Sequence, residues 1–300
     1  MKTSASAATP KILVTGASGQ SGSLVINECI RQGIAVRALV RNPDKAAAFK
    51  GAATVEMLAG DMLKPETLMP ALQGVERALL ISSSNEVMVD TQCTFIDTCR
   101  KAGVPHVIKF SGEECQTGYD FRNFRFTKEH RQIETHLEHS GLQWTHLCPS
   151  QFMQVYLREA GSVRNKGALF LSLEDISMSP VDLEDVAKIA VALLQQGGHQ
   201  SERLRITGPA ALTMSQIAAI ITSVINKPVN YVKVSQEARN QLLLNAGVPL
   251  YLVEAIAAQS EERRRHPDAF VDLSTHQRFN IKPSHFEAFA LRHAAVFGLS

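Results

Sequence analysis

The chain has 300 residues, of which 45% are hydrophobic and 20% charged, and a formal net charge of +2; it is long enough to bury a large core without crosslinks. Near-neutrality gives no electrostatic reason to expect nucleic acid or an anionic membrane as partner, which leaves a small molecule as the default. The five cysteines (Cys29, Cys93, Cys99, Cys115 and Cys148) are odd in number and contain no CxxC pair, which argues against a disulfide framework and a structural zinc site and fits a reducing cytoplasm.

Residues 1–9 are small and polar and read as a disordered tail, with neither a secretory signal there nor a bilayer-spanning run later. From residue 10 onward, apolar runs rich in β-branched residues alternate with helix-period segments. Residues 11–15 read as a strand and 21–32 as a helix ended by Gly33; 35–40 form a second strand, followed by Pro43 in the first turn of a short helix through Lys50. A strand at 54–58, a helix at 65–72, a strand at 78–81, a helix at 88–102, a strand at 107–110, a helix at 126–140 and a strand at 143–147 continue the alternation.

Repeated βα units of this kind imply a doubly wound parallel α/β sheet of Rossmann type. Residues 10–150 therefore read as a dinucleotide-binding domain. After Pro149 the pattern loosens, with an amphipathic piece at 151–159, a helix at 183–196 and a strand at 204–207. Asp182 stands as its N-cap, and Asp185 lies in its first turn. Segment 181–207 is expected to rejoin the sheet, while helices at 215–226, 236–246 and 250–265 build a smaller, mainly helical substrate lobe within 151–300, interleaved with the first domain.

Gly16, Gly19 and Gly22 fall between the first strand and the first helix, where a tight turn, a close backbone approach to pyrophosphate and close helix packing each exclude a Cβ. The helix N-terminus adds free N–H groups for the anion. The second strand ends at Val40 and is followed by Arg41 rather than by an acidic residue, with Arg37 and Lys45 four residues to either side. That cluster favours the 2′-phosphate of NADP(H) over the ribose hydroxyl of NAD(H), unless it is only a solvated charge run.

Several stretches carry a family resemblance: Val14 through Gly22, Val40 through Lys45, Gly60-Asp61, Gly74-Val75-Glu76 running to Leu80-Ile81-Ser82-Ser83-Ser84, and Glu134 with Ser140-Gly141-Leu142. With these residues the chain resembles the NmrA-like branch of the atypical short-chain dehydrogenase/reductases, in particular its quinone reductase and triphenylmethane reductase subgroup. The resemblance implies that Arg41 and Lys45 contact the 2′-phosphate and that Gln20 and Ser21, beside Ser18, lean on the pyrophosphate. It also places Asp61 and Met62 by the adenine and Ser82 and Ser83 along the cofactor. On the residues alone, Asp61 is equally a strand-ending turn residue and Ser82 to Ser84 a polar loop.

Ordinary short-chain dehydrogenases carry a YxxxK pair on the helix after the fifth strand. Here the matching place reads Phe126-Thr127-Lys128-Glu129-His130, which removes the phenol and replaces lysine by histidine, as in the quinone-reductase subgroup. His130 shares a helical face with Phe126, Ile133 and Leu137, so it either binds the ribose and gives a proton or is a core histidine. Ser111 matches the superfamily's catalytic serine, or caps the turn at Gly112. Tyr119 is a candidate for the missing phenol, Cys115 carries no assigned role, and Phe152 and Met153 either line the substrate pocket or pack in the core.

These readings lead to an NADPH-dependent oxidoreductase that passes hydride to a planar, electron-poor acceptor such as a quinone. The alternative is a non-catalytic NADP(H)-binding redox sensor of the NmrA type that acts on a protein partner. No metal is expected, and the chain is expected to be a monomer or homodimer.

Overall fold

The computed structural model describes residues 12–43, 49–112, 124–267 and 269–298. The expected tail, most of the short helix after Pro43, Lys45, Cys115 and Tyr119 lie outside them. In the first half, β1 (Ile12–Val14), α1 (Gln20–Gln32), β2 (Val36–Val40), β3 (Val55–Ala59) and α2 (Pro65–Leu72) lead to β4 (Arg77–Leu80), α3 (Met88–Ala102), β5 (His106–Phe110), α4 (Arg125–Glu138) and β6 (Gln143–Pro149). The strands are nearly unbroken apolar runs because helices cover both sheet faces, leaving no solvated side to mark with polar residues. Gly33 and Gly103 end α1 and α3 in the left-handed region, at φ 70° and 74°, where a Cβ would be strained.

A 3₁₀ segment (Met153–Glu159), α5 (Ala160–Lys166), β7 (Ala168–Leu171) and β8 (Ser177–Met178) then leave the sheet. The chain returns through α6 (Leu183–Gln196), which packs on α1, and β9 (Glu202–Ile206), which pairs with β6. The main sheet is parallel throughout, in the order β3-β2-β1-β4-β5-β6-β9. Asp182 caps α6 as its sequence position implies, accepting from the Glu184 N–H at 3.0 Å. It also takes Gln154 Nε2 at 2.7 Å and the Arg292 guanidinium, so this buried carboxylate ties the return helix to the smaller lobe.

That lobe adds β10 (Leu212–Thr213), α7 (Met214–Ile225), β11 (Asn230–Lys233), α8 (Gln236–Asn245) and α9 (Leu250–Arg265); α10 (Ser274–Arg278) packs back on β9, and α11 (Phe286–Arg292) and α12 (Ala294–Phe297) complete the lobe. Two small sheets in it, β7 parallel to β11 and β8 antiparallel to β10, are absent from the sequence reading. Strands of two to four residues carry too little periodicity to be seen, and each pairs with a segment remote in sequence. Apolar clusters fill three spaces: between the sheet and α1 with α6, between the sheet and α2, α3 and α4, and inside the smaller lobe.

Two histidines sit within the sheet. His106 donates from Nε2 to the Thr145 hydroxyl, at 2.9 Å, since that hydroxyl spends its own hydrogen on the His199 carbonyl at 2.7 Å. His146 stacks on Trp144 and approaches Glu138 at 3.2 Å. Burial, with nearby positive charge adding to it, holds His106 down to about 4 and His146 to about 2. Both are neutral in the folded chain, whereas an unfolded histidine protonates near pH 6.5. Unfolding therefore takes up protons as the pH falls from about 6.5 toward the folded values, and each histidine removes about 1.4 kcal/mol of stability per pH unit in that window. Urea unfolding followed between pH 7 and 5 is expected to show this loss, with a slope reduced by about one such increment in His106→Gln. An unchanged slope in the variant contradicts the assignment.

Candidate active site

β1 and β4 are neighbours in the sheet although β2 and β3 separate them in sequence, so the chain leaves their C-terminal ends in opposite directions and opens a crevice there. Thr15 fixes the crevice floor: its hydroxyl donates to the Ile81 carbonyl at 2.7 Å and accepts from the Ile81 N–H at 2.8 Å. Gly16 follows at φ +59°, and a Cβ there would meet the Ile81 carbonyl oxygen at 2.8 Å. A Cβ on Gly22 would lie 2.2 Å from the Gly16 oxygen. Gly19 caps α1 without a side-chain hydrogen bond, and the first turn of α1 contains no acidic residue. The open N–H groups and the dipole of a thirteen-residue helix thus face the crevice.

Around this loop lies a groove of about 570 Å³. It brings together Gly16, Ser18, Gly19, Gln20, Ser21 and Gly22 with Arg41, Asp61, Met62, Ser82 and Ser83. Arg41 is exposed on its rim and makes no hydrogen bond or ion pair among the described residues. Arg37 is different. Its guanidinium is held by Glu56 at 2.7 Å and by the carbonyls of Ala71 and Gln73 at 2.9 and 2.6 Å, and it does not line the groove. Arg41 lies four residue steps further along, a span of roughly 13 Å at the strand rise, so Arg37 is a clamp on the end of α2 rather than a groove residue. Asp61 lines the groove, and its carboxylate accepts from the Leu63 N–H at 3.0 Å as a strand-ending turn residue does. Ser82 takes a hydrogen bond from the buried Gln92 amide at 2.9 Å.

A second hollow of about 270 Å³ lies between the sheet's C-terminal edge and the smaller lobe. Phe126, His130 and Ser111 line it from α4 and the end of β5, and Phe152, Val155 and Tyr156 from the segment after β6. Leu171, Leu243 and Ile256 face them from the lobe. Ser84 belongs to this cleft while Ser82 and Ser83 belong to the groove, so the serine run after β4 is the shared wall of the two. Met153 does not line the cleft. It is buried in the lobe's apolar cluster beside Tyr156 and Met214, because the 3₁₀ turn points it away from its neighbour Phe152, which packs on Phe110 at a ring distance of 6.0 Å.

Below the cleft runs a buried polar chain that the sequence reading missed. Lys109 Nζ stands 2.7 Å from His130 Nδ1 and 3.2 Å from Ser111 Oγ. Ser111 donates to Glu134 Oε1 at 2.5 Å, and Arg203 grips the other Glu134 oxygen at 2.7 Å. The geometry follows from two periodicities: residues 109 and 111 share a strand face, and residues 130 and 134 share a helix face. Desolvation, followed by the Lys109 charge, holds His130 well below the ordinary imidazole range. The signal for this chain was present in the sequence, as a lone lysine inside an apolar parallel strand, His-Val-Ile-Lys-Phe. Such a residue is almost never buried without a partner. Also unanticipated is the cleft's ion pair, in which Arg239 meets Glu159 at 2.6 Å.

Among the described residues no cluster of metal-ligating side chains occurs, and no helix is long and apolar enough to cross a membrane. A parallel sheet with a glycine-lined groove at its switch point, and an apolar cleft adjoining it, defines a nucleotide-binding α/β protein of Rossmann type. More narrowly, the chain belongs to the NmrA-like family, whose model matches residues 8–290. It is 31% identical over 290 residues to an NAD(P)H azoreductase of Xenophilus azovorans, covering 96% of this chain and 99% of that one. The structure of an NADPH-dependent quinone oxidoreductase from Escherichia coli, complexed with NADPH, superposes with a TM-score of 0.83 at 27% identity, over 94% of this chain and 99% of that one. The negative transcriptional regulator NmrA, in complex with NADP, shares the fold with a TM-score of 0.80 at 16% identity over 96% of each chain.

The glycine cradle gives a direct test. Gly22→Ala forces the Gly16 carbonyl out of its position, and NADPH and NADH titrations are expected to show binding weakened on the order of 10- to 100-fold for both, with the far-ultraviolet spectrum retained. Unchanged titrations contradict a cofactor role for the loop.

Proposed function

We propose that this protein is an NAD(P)H-dependent reductase that reduces a planar, electron-poor acceptor of the quinone or azo class in the cleft beside the groove. The observation that carries this reading is the shared serine wall: a dinucleotide with its pyrophosphate on Gly16 to Gly22 and its far end along Ser82 and Ser83 would reach the cleft mouth at Ser84. The names of the relatives support the same reading, since one reduces azo compounds and another quinones with NAD(P)H or NADPH. When bound, the reduced nicotinamide supplies the hydride.

The chain's own residues bind, orient and exclude water. The open N–H groups of α1 take the pyrophosphate, and Asp61 and Met62 flank the adenine. Phe126 and Phe152 give the acceptor apolar ring surfaces. Phe126 has no hydroxyl, so the acid–base chemistry of a tyrosine does not operate at that position, and His130 and Ser111 are among the polar groups that line the cleft beside it. NADP(H) is favoured over NAD(H) because the strand β2 is followed directly by Arg41, with Lys45 beyond it in sequence, and not by a carboxylate for the ribose.

Two measurements check this. Arg41→Asp is expected to weaken NADPH binding by about 10- to 100-fold while changing NADH by no more than about threefold, since a charged hydrogen bond is worth about 1.5–3 kcal/mol. Equal losses for the two cofactors contradict the 2′-phosphate assignment. Purified protein is expected to oxidise NADPH in the presence of at least one member of a panel of quinones and azo dyes. Tight NADPH binding with no oxidation above background across the panel contradicts the reductase reading and favours a redox sensor that acts through a protein partner.

A further inference from the structure

Lys109 is fully buried, yet its ammonium reaches His130 and Ser111 at 2.7 and 3.2 Å. An ammonium has three hydrogens to give and no lone pair. His130 Nδ1 is therefore the acceptor of that bond, and the neutral ring carries its own hydrogen on Nε2. Ser111 spends its hydrogen on Glu134, at 2.5 Å, and so meets Lys109 with a lone pair. Glu134 is in turn fixed by Arg203 at 2.7 Å. The donors diverge from Lys109, one branch running through Ser111 to Glu134 and the other ending at the ring of His130, which lines the cleft.

We propose that Lys109 and His130 form a proton-delivery pair for the acceptor held in the cleft, an inference that rests on the reductase reading above. As the acceptor gains hydride, its oxygen or nitrogen takes the Nε2 hydrogen of His130: that N–H bond breaks and an O–H or N–H bond forms. In the same step Nδ1 takes a proton from the Lys109 ammonium. The imidazole stays neutral and only changes tautomer while Lys109 becomes a neutral amine; between turnovers a proton from solvent adds to Nε2 and Nδ1 returns its proton to Lys109, which resets the pair. Both electrons come from the reduced nicotinamide. Delivery through a neutral ring avoids an imidazolium, which burial and the adjacent positive charge oppose. It also accounts for a lysine on the strand rather than on the helix: the helix position that carries lysine in ordinary short-chain dehydrogenases holds the ring that Lys109 serves.

Among the described residues, the charged and titratable groups near the pair include Glu134 and Arg131 on α4, His146 on β6, Arg203 on β9 and Cys93 on α3. Nitrogen NMR of histidine-labelled protein without cofactor or acceptor reads the pair directly. Wild-type His130 is expected as the neutral, Nε2-protonated tautomer from about pH 6 to 8. A ring protonated on Nδ1, or cationic in that range, overturns the proposal.

Turnover supplies the second arm. With a quinone that the wild type reduces, Lys109→Met and Lys109→Arg are each expected to lower kcat on the order of 100-fold, with KM and NADPH affinity changed less than about threefold. Arginine keeps the charge and the hydrogen bonds but does not release a proton, so it separates delivery from shape. Rescue by arginine to within about threefold of wild type, or a loss confined to KM, overturns the delivery role. If Lys109→Met does not fold, the arginine variant and the wild-type spectrum still decide. A wild type inert toward every acceptor overturns the reductase reading and delivery with it, whereas an active wild type matched by its variants overturns delivery alone.

Discussion

The Thr15 hydroxyl bridges two strands that are sixty-six residues apart in sequence, giving a hydrogen to the Ile81 carbonyl and taking one from its N–H. This exchange locks the C-terminal ends of β1 and β4 at the point where the chain turns away in both directions. The crevice follows from that topology, and its width is set by the contact. Gly16 must approach Ile81 more closely than a side chain permits, and Gly22 must approach Gly16 more closely still. The groove and the serine wall take their positions from this junction, because the glycine loop continues β1 and the serine run continues β4.

A parallel sheet covered on both faces has little room for charge, which makes its few charged residues informative. Lys109 lies in the middle of such a strand and is fully buried. Its partners are drawn from three elements, β5, α4 and β9, and the hydrogen bonds among Lys109, His130, Ser111, Glu134 and Arg203 leave each group a defined role as donor or acceptor. Networks of this sort are costly to bury and are tolerated where every member is satisfied. Its placement under the cleft, rather than elsewhere in the core, gives it chemical interest. Asp182 is the structural counterpart: an equally buried carboxylate, not among the residues that line the cleft, that joins α6 to Gln154 and Arg292.

The alternation of strands and helices in the first half was legible because its elements are locally patterned: α2, α3, α6 and α9 have the bounds read from the sequence, with Pro65 in the first turn of α2 and Asp182 capping α6. The glycine loop after β1 was legible for a similar reason, since glycine spacing is a local signal. What escaped depends on contacts between distant segments. The two short sheets of the lobe have no local signature, and Arg37 looks like a neighbour of Arg41 until Glu56 and the end of α2 claim it. Phe152 and Met153 are adjacent in sequence and opposite in fate, one in the cleft and the other in the lobe core. His130 was visible as a candidate, but its hydrogen-bond state was not, because that is decided by a lysine on another element.

The central claim is that the glycine groove and the apolar cleft are two halves of one site, joined at Ser82 to Ser84. A crystal structure of the protein grown with NADPH tests it most directly. The account predicts the pyrophosphate over the N-terminus of α1, the 2′-phosphate beside Arg41, and the nicotinamide past the serine wall with its reactive carbon facing the cleft, about 3–4 Å from the space between Phe152 and His130. A dinucleotide bound outside the groove, or one whose nicotinamide turns away from the cleft, would contradict it.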